Sequence, residues 1–311
     1  MKKAEARSRR EFLQAGAALA LAPGVVARAK ETGFPLAICN ETFEGWSFEK
    51  GCQGAREAGF TGLEIAPFTL SDDPASLTPG RRAELKATMA GEGLTLVGFH
   101  WLLKTPPGLH VTTPDTALRT RSWDYVRKLV DLYADLGNGG ILVFGSGKGR
   151  SPTGGATREE ALDRFAEGMA GVAPHAEARG ITFALEPLAP RFSGILNTVG
   201  ETVAMVKRIG SPAVQTMIDC RQTAALEGSV DAAAVILKHH AHIKHVHVNE
   251  TDGRHPGTGD FPFDRVLAAL RKVDYQGWVS LEVINFEAGG EAIAQETVQF
   301  IRKVERELDA L

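Results

Sequence analysis

The sequence predicts a single-domain α/β protein, a (β/α)8 barrel of the TIM type, and three observations predict it. Eight short apolar segments of strand character recur along the 311 residues, with stretches of helical periodicity between them. Glycine is abundant at 34 residues while aromatics make up 7%, which suits many short strand-to-helix loops better than an aromatic-rich β-sandwich. Polar residues with chemical potential stand at the C-terminal ends of the strands, the catalytic face of such a barrel. Length alone suggests two domains, but α/β barrels of about 250 residues fold as one unit.

In order, the strand segments are 36–39, 62–66, 94–100, 141–145, 181–186, 214–219, 243–248 and 278–283. Helical segments at 79–89, 116–136, 158–178, 199–209, 230–239, 263–273 and 291–308 lie between and after them. Gly59, Gly91, Gly137, Gly180 and Gly210 fall where helix C-termini favour glycine. A doubly wound open sheet is the main rival, and it calls for a glycine-rich phosphate turn after the first strand. Here that turn reads Asn40-Glu41-Thr42-Phe43-Glu44-Gly45-Trp46, without such a fingerprint. Gly145-Ser146-Gly147-Lys148-Gly149 lacks the spacing of a nucleotide loop and reads as a mobile strand-to-helix loop.

Residues 1–29 read as a Tat-type signal peptide, and 30–311 as the barrel. Lys2, Lys3, Arg7, Arg9 and Arg10 precede a short apolar stretch, 15–26, that ends in the small-x-small sequence Ala27-Arg28-Ala29. Within it, Ser8-Arg9-Arg10-Glu11-Phe12-Leu13-Gln14 resembles the twin-arginine export motif. The expectation is export to the periplasm. The apolar stretch is too short for a membrane span, and no cysteine near the cleavage point offers a lipid anchor, so no permanent membrane anchor is expected. The whole chain carries a formal charge of −3; removing 1–29 takes six basic and two acidic side chains and leaves 282 residues at −7. That sign disfavours nucleic acid as a partner. Cys39, Cys52 and Cys220 are odd in number and unrelated in spacing, which implies neither a disulfide framework nor a C-x-x-C metal site.

The strand ends present Glu64, His100, Glu186, Asp219, His247 and Glu282. Side chains alternate along a strand, so Thr182, Ala184 and Glu186 share one face while Ile181, Phe183 and Leu185 share the other. The same parity turns Gln215, Met217 and Asp219, His245 and His247, and Ser280 and Glu282 toward the barrel axis. Each alone reads as an ordinary buried polar group; together Glu186, Asp219, His247 and Glu282 read as one metal site. Three carboxylates and one imidazole suit Mn2+, Mg2+ or Co2+ more than a sulfur-rich structural zinc. His100 and Glu64 are substrate-binding candidates, though a histidine there also suits a hydrogen bond across the barrel mouth. His239, His240 and His242 read as cations at a helix C-terminus. Trp46, Trp101 and Phe286 suit either an apolar wall for a sugar ring or core packing.

These residues resemble the xylose-isomerase-like sugar phosphate isomerase and epimerase superfamily, which includes the ketose 3-epimerases. The motifs are Gly59-Phe60-Thr61-Gly62-Leu63-Glu64-Ile65, Leu185-Glu186-Pro187-Leu188, Ile218-Asp219, His245-Val246-His247-Val248, Pro256-Gly257-Thr258-Gly259-Asp260 and Tyr275-Gln276-Gly277-Trp278-Val279-Ser280-Leu281-Glu282. The resemblance implies that Glu186, Asp219, His247 and Glu282 ligate one divalent ion, commonly manganese, and that Arg254 contacts substrate oxygens. Two positions depart from the ketose 3-epimerase pattern. Gln222 stands where those relatives have a histidine, and Arg191-Phe192-Ser193 where they have an acidic residue.

The expected activity is metal-dependent isomerisation or epimerisation of a keto-sugar through an enediolate. Glu186 and Glu282 exchange the proton, and His100, Gln222 and Arg254 orient hydroxyls. The alternatives are a β-eliminating lyase on 3-keto-glycosides and, in another class, a catalytically inactive exported carbohydrate-binding barrel. A metal-dependent endonuclease on this fold would want more strand-end histidines and a basic groove. A small carbohydrate is the expected partner, and a homo-oligomer is compatible with the sequence.

Overall fold

The computed structural model describes residues 33–228 and 231–311, and Gly33–Leu311 cluster as one compact unit. The signal segment expected at 1–29 lies outside the described residues, as does Val230 at the start of an expected helix. Among them, β1 (Leu36–Cys39), β2 (Gly62–Ile65), β3 (Thr95–Phe99), β4 (Gly140–Phe144), β5 (Ile181–Leu185), β6 (Val214–Asp219), β7 (Ile243–Val248) and β8 (Val279–Leu281) form a closed barrel in sequence order. Every pairing is parallel, and β8 closes onto β1 with Ala37 opposite Ser280.

The helices are α1 (Phe48–Ala58), α2 (Pro79–Gly91), α3 (Thr116–Leu136), α4 (Gly147–Arg150), α5 (Arg158–Glu177), α6 (Val199–Ile209), α7 (Cys220–Glu227), α8 (Ala232–His239), α9 (Phe263–Lys272) and α10 (Gly290–Asp309). α1 and the short α4 and α7 are helices not among those expected; α7 follows β6 directly, and α4 follows β4 after Gly145 and Ser146. The long helices start where the sequence supplies caps. Thr157 and Glu160 form a reciprocal capping box on α5, and Ser47 accepts from the Lys50 amide on α1. Gly59 and Gly210 end α1 and α6 in the left-handed conformation, with φ of 103° and 71°. Two expected glycine caps differ. Gly137 is extended at φ −125°, and Gly91 remains inside α2, leaving the left-handed position to Gly93.

Strand parity divides the apolar residues into two layers. Ile181, Phe183 and Leu185 join the large core between barrel and helices, whereas Val143, Ala184 and Met217 pack with Ile141 inside the barrel. That small apolar plug leaves the C-terminal half of the axis to polar side chains. The barrel also binds its own ends together. Glu305 of α10 is buried, its Oε1 accepting from the Phe34 amide at 2.6 Å and its Oε2 from Arg302 Nη1 at 2.7 Å, while Arg302 donates to the Phe34 carbonyl. Glu305→Ala would leave that amide and guanidinium short of an acceptor. It is expected to lower stability by about 1–3 kcal/mol in urea unfolding. An unchanged midpoint would show that closure does not depend on this contact.

Candidate active site

Four side chains converge above the apolar plug. Asp219 ends β6 and caps α7, its Oδ1 accepting from the Gln222 amide at 2.7 Å. His247 lies in β7, while Glu186 and Glu282 stand one residue past the last rungs of β5 and β8. Each offers one ligand atom, and these atoms lie within 4.8 Å of one another, with all four residues buried.

Beneath them sits Glu64 of β2, with no exposed surface. It accepts from His247 Nε2 at 3.1 Å, from His245 Nε2 at 2.8 Å and from Ser280 Oγ at 2.8 Å. Burial alone would raise the Glu64 pKa, but the imidazoles of His247 and His245 hold it well below the usual carboxylate range. Glu64 therefore differs from the substrate-binding role read from sequence. Its oxygens are occupied by barrel side chains, and it fixes which nitrogen of His247 faces the cluster. With Nε2 turned to Glu64, Nδ1 faces Glu282 Oε2 at 3.0 Å and Asp219 Oδ2 at 3.9 Å.

The electrostatics of the cluster call for a cation. Burial and the neighbouring charges of Glu282 and Asp219 push Glu186 well above the usual carboxylate range, and burial with Glu282 pushes Asp219 up to about 6. Such groups bind protons more tightly folded than unfolded. Without a cation, the contribution of Asp219 to stability falls as pH rises from the ordinary carboxylate range through about 6, and that of Glu186 falls in the same direction. A divalent ion among the carboxylates would offset that repulsion, and three carboxylates with one imidazole form a hard-donor set that fits Mn2+ or Mg2+.

Several groups that sequence reasoning missed hold this arrangement. Arg150, fully buried, donates to the carbonyls of Phe144 and Glu186 at 2.6 Å each and to Ser193 Oγ at 3.2 Å. The segment expected to be a mobile loop at 145–149 is thus continued into α4 and pinned at Arg150. A Cβ at Gly145 would lie 2.0 Å from Glu186 Oε2, so glycine there leaves the space the carboxylate occupies. Asn249 donates to Asp219 Oδ2 at 2.9 Å and accepts from the Arg221 amide. Glu250 accepts from the amides of Gly257 and Phe261, which gives the Pro256-Gly257-Thr258-Gly259-Asp260 motif a loop-folding role.

Other residues singled out from sequence lie at varied distances from the cluster. His100 is 1% exposed, and its Nε2 pairs with Glu41 Oε1 at 2.5 Å. Burial opposes its charge, yet Glu41 and Glu64 together raise it to about 9. Glu41, rather than His100, therefore stands toward the barrel mouth; it lies in a short 3-10 turn, Asn40–Phe43, directly after β1, where strand alternation no longer applies. Gln222 is buried and accepts from the Ala189 amide at 3.0 Å, positioning the loop after Glu186. Arg254 does not join the cluster; its Nε donates to Asp252 Oδ2 at 2.7 Å on the surface, because a tight turn returns its carbonyl to the Glu250 amide. Cys39, Cys52 and Cys220 are free and buried, as expected.

Comparison with known proteins agrees with this geometry. The model of the xylose isomerase-like TIM barrel matches residues 52–304. A probable ketose 3-epimerase of Synechocystis is 28% identical over 272 residues, spanning 81% of this chain and 88% of its own. The L-ribulose 3-epimerase of Mesorhizobium japonicum is 28% identical over 254 residues, 80% of either chain. Among solved structures, D-psicose 3-epimerase of Clostridium cellulolyticum superposes with a TM-score of 0.76 at 22% identity, covering 88% of this chain and 99% of that one. The 3-keto-D-glucoside 4-epimerase of E. coli gives 0.73 at 18%, covering 87% and 99%. The relatives named here are sugar epimerases, and this chain is an enzyme of the isomerase and epimerase class. Closed barrel, strand-end cluster and a family match over most of the described residues lead to one conclusion: the chain belongs to the xylose isomerase-like TIM barrel family.

Proposed function

We propose that the chain is an exported, divalent-cation-dependent epimerase or isomerase of a keto-sugar, with Mn2+ as the preferred ion. The observation that carries this reading is the set of Glu186, Asp219, His247 and Glu282 donors within 4.8 Å, underpinned by Glu64. These four residues would hold the ion. A divalent ion there supplies Lewis-acid stabilisation of the negative charge that develops on a substrate carbonyl oxygen.

The protein's own groups do the rest. Glu186 from β5 and Glu282 from β8 flank Asp219 and His247 in strand order, and would approach the reacting carbon from different sides. One removes the proton beside the carbonyl, and the other returns it to the opposite face. Gln222, tied to Ala189, and the Glu41–His100 pair shape the space around the ring. Ser193 and Phe192 occupy the stretch that carries an acidic residue in the ketose 3-epimerase pattern. Ser193 is turned to Arg150 and Ile195, and Phe192 lies under the guanidinium groups of Arg191 and Arg221. That difference favours a substrate other than a free ketose and keeps a β-eliminating lyase, which begins with the same proton abstraction, as the second reading.

Incubating keto-sugars and 3-keto-glycosides with the full chain and Mn2+ in deuterium oxide is expected to place deuterium at the carbon beside the carbonyl. Glu186→Gln or Glu282→Gln should slow that exchange by about 10²–10⁴-fold. Absence of exchange across the substrates would refute proton abstraction, and release of a free sugar or aglycone would select the lyase. Export is tested separately. The full chain is expected to reach the periplasm in shortened form, and Arg9→Lys with Arg10→Lys is expected to retain it in the cytoplasm. Export unchanged by that double substitution would exclude the twin-arginine route.

A further inference from the structure

A cavity of about 640 Å³ opens beside the cluster, between the loops that follow β1, β2, β3 and β8. We propose that it binds the part of the substrate that does not react, with Glu41 as the specificity-determining group. The substrate class is then a glycoside, a keto-sugar ring joined to a second ring, and not a free monosaccharide. This rests on the proton-transfer reading given above and narrows its substrate.

Size and lining support it. The volume falls in the range of about 300–1,000 Å³ that accommodates ligands well beyond a single sugar ring. Phe43, Trp46, Phe68, Trp101, Ile284 and Phe286 supply apolar walls, and aromatic faces are suited to stacking on a sugar's C–H face or on an aromatic aglycone. Trp101 is 39% exposed and sits at φ 53°, a left-handed conformation that bulky residues rarely adopt. The ammonium of Lys104 lies 5.7 Å from its ring centroid and 5.9 Å from that of Phe68, bridging the two platforms.

Two features place the cavity near the cluster. Val283 and Ile284, in its wall, directly follow Glu282. Glu41 also lines it, nine-tenths buried, with Oε1 on His100 and with Oε2 buried and lacking a hydrogen-bond partner. A carboxylate oxygen left without a donor in such a place is an acceptor for a hydroxyl brought by the ligand. His100 is itself buried and spent on Glu41, with its other ring nitrogen 3.5 Å from Glu64 Oε1.

The test is binding without turnover. The full chain, kept in chelator, is titrated with phenyl α- and β-glucosides and galactosides and with glucose disaccharides, against glucose and galactose, using saturation-transfer NMR and tryptophan fluorescence. At least one glycoside is expected to bind tenfold or more tightly than its parent sugar. Trp101→Gly removes the ring and suits the left-handed backbone, so it should abolish that preference. Glu41→Gln should weaken the glycoside about tenfold while leaving the affinity for the parent sugar within twofold. No preference for any glycoside, or a preference that survives both substitutions, overturns the proposal. Failed deuterium exchange would refute the chemistry and leave this binding result standing, so the two failures are distinguishable.

Discussion

The contact on which the site depends is the one between Glu64 and His247. A carboxylate with no exposed surface holds the Nε2 side of that imidazole and so commits Nδ1 to the three carboxylates above it. Glu64 also gathers His245 and Ser280, which ties β2, β7 and β8 together across the barrel axis. A fully buried charge in a barrel interior is costly unless surrounded by donors, and here the donors come from two strands, β7 and β8. The same hydrogen bonds that make Glu64 tolerable therefore set the geometry of the cluster.

Above that contact the problem is reversed, because too many carboxylates face one another. Glu186 is pushed up by Glu282 and Asp219, yet it is held in place by its surroundings: Arg150 grips its carbonyl and Gly145 leaves room for its carboxylate. Asn249 and the α7 amide of Gln222 do the same for Asp219. Protein groups thus fix each of these carboxylates, which is the form of preorganisation that electrostatic catalysis requires.

Much of this was legible in the sequence, for a definite physical reason. Strand period and barrel closure convert residue number into direction, so Glu186, Asp219, His247 and Glu282 could be placed on one axis from parity alone. Strand ends were displaced by a residue or two, as at β5 and β8, because the ladder stops where the ligands begin. What parity does not encode is what lies between strands. Arg150 follows a glycine-rich stretch with no periodic signal, and its burial is set by the carbonyls of Phe144 at the end of β4 and of Glu186 after β5. Arg254 failed for the complementary reason: a turn closed by Glu250 and Asp252 decides its direction, and motif position does not. Glu41 lies in the 3-10 turn that follows β1, where alternation no longer converts residue number into direction.

The fold, the family and the isomerase or epimerase class are common ground between geometry and kinship, while the proposed cation is where the account is most exposed. Calorimetric titration of Mn2+ into the chelator-treated full chain tests it directly. The account predicts one ion per chain and weaker binding at pH 5.5 than at 7.5, since Asp219, held at about 6, must release a proton. Affinity should fall about 10–100-fold in Glu64→Gln and beyond detection in Asp219→Asn. Wild-type protein that takes up no Mn2+, or equal binding by all three proteins, would contradict it.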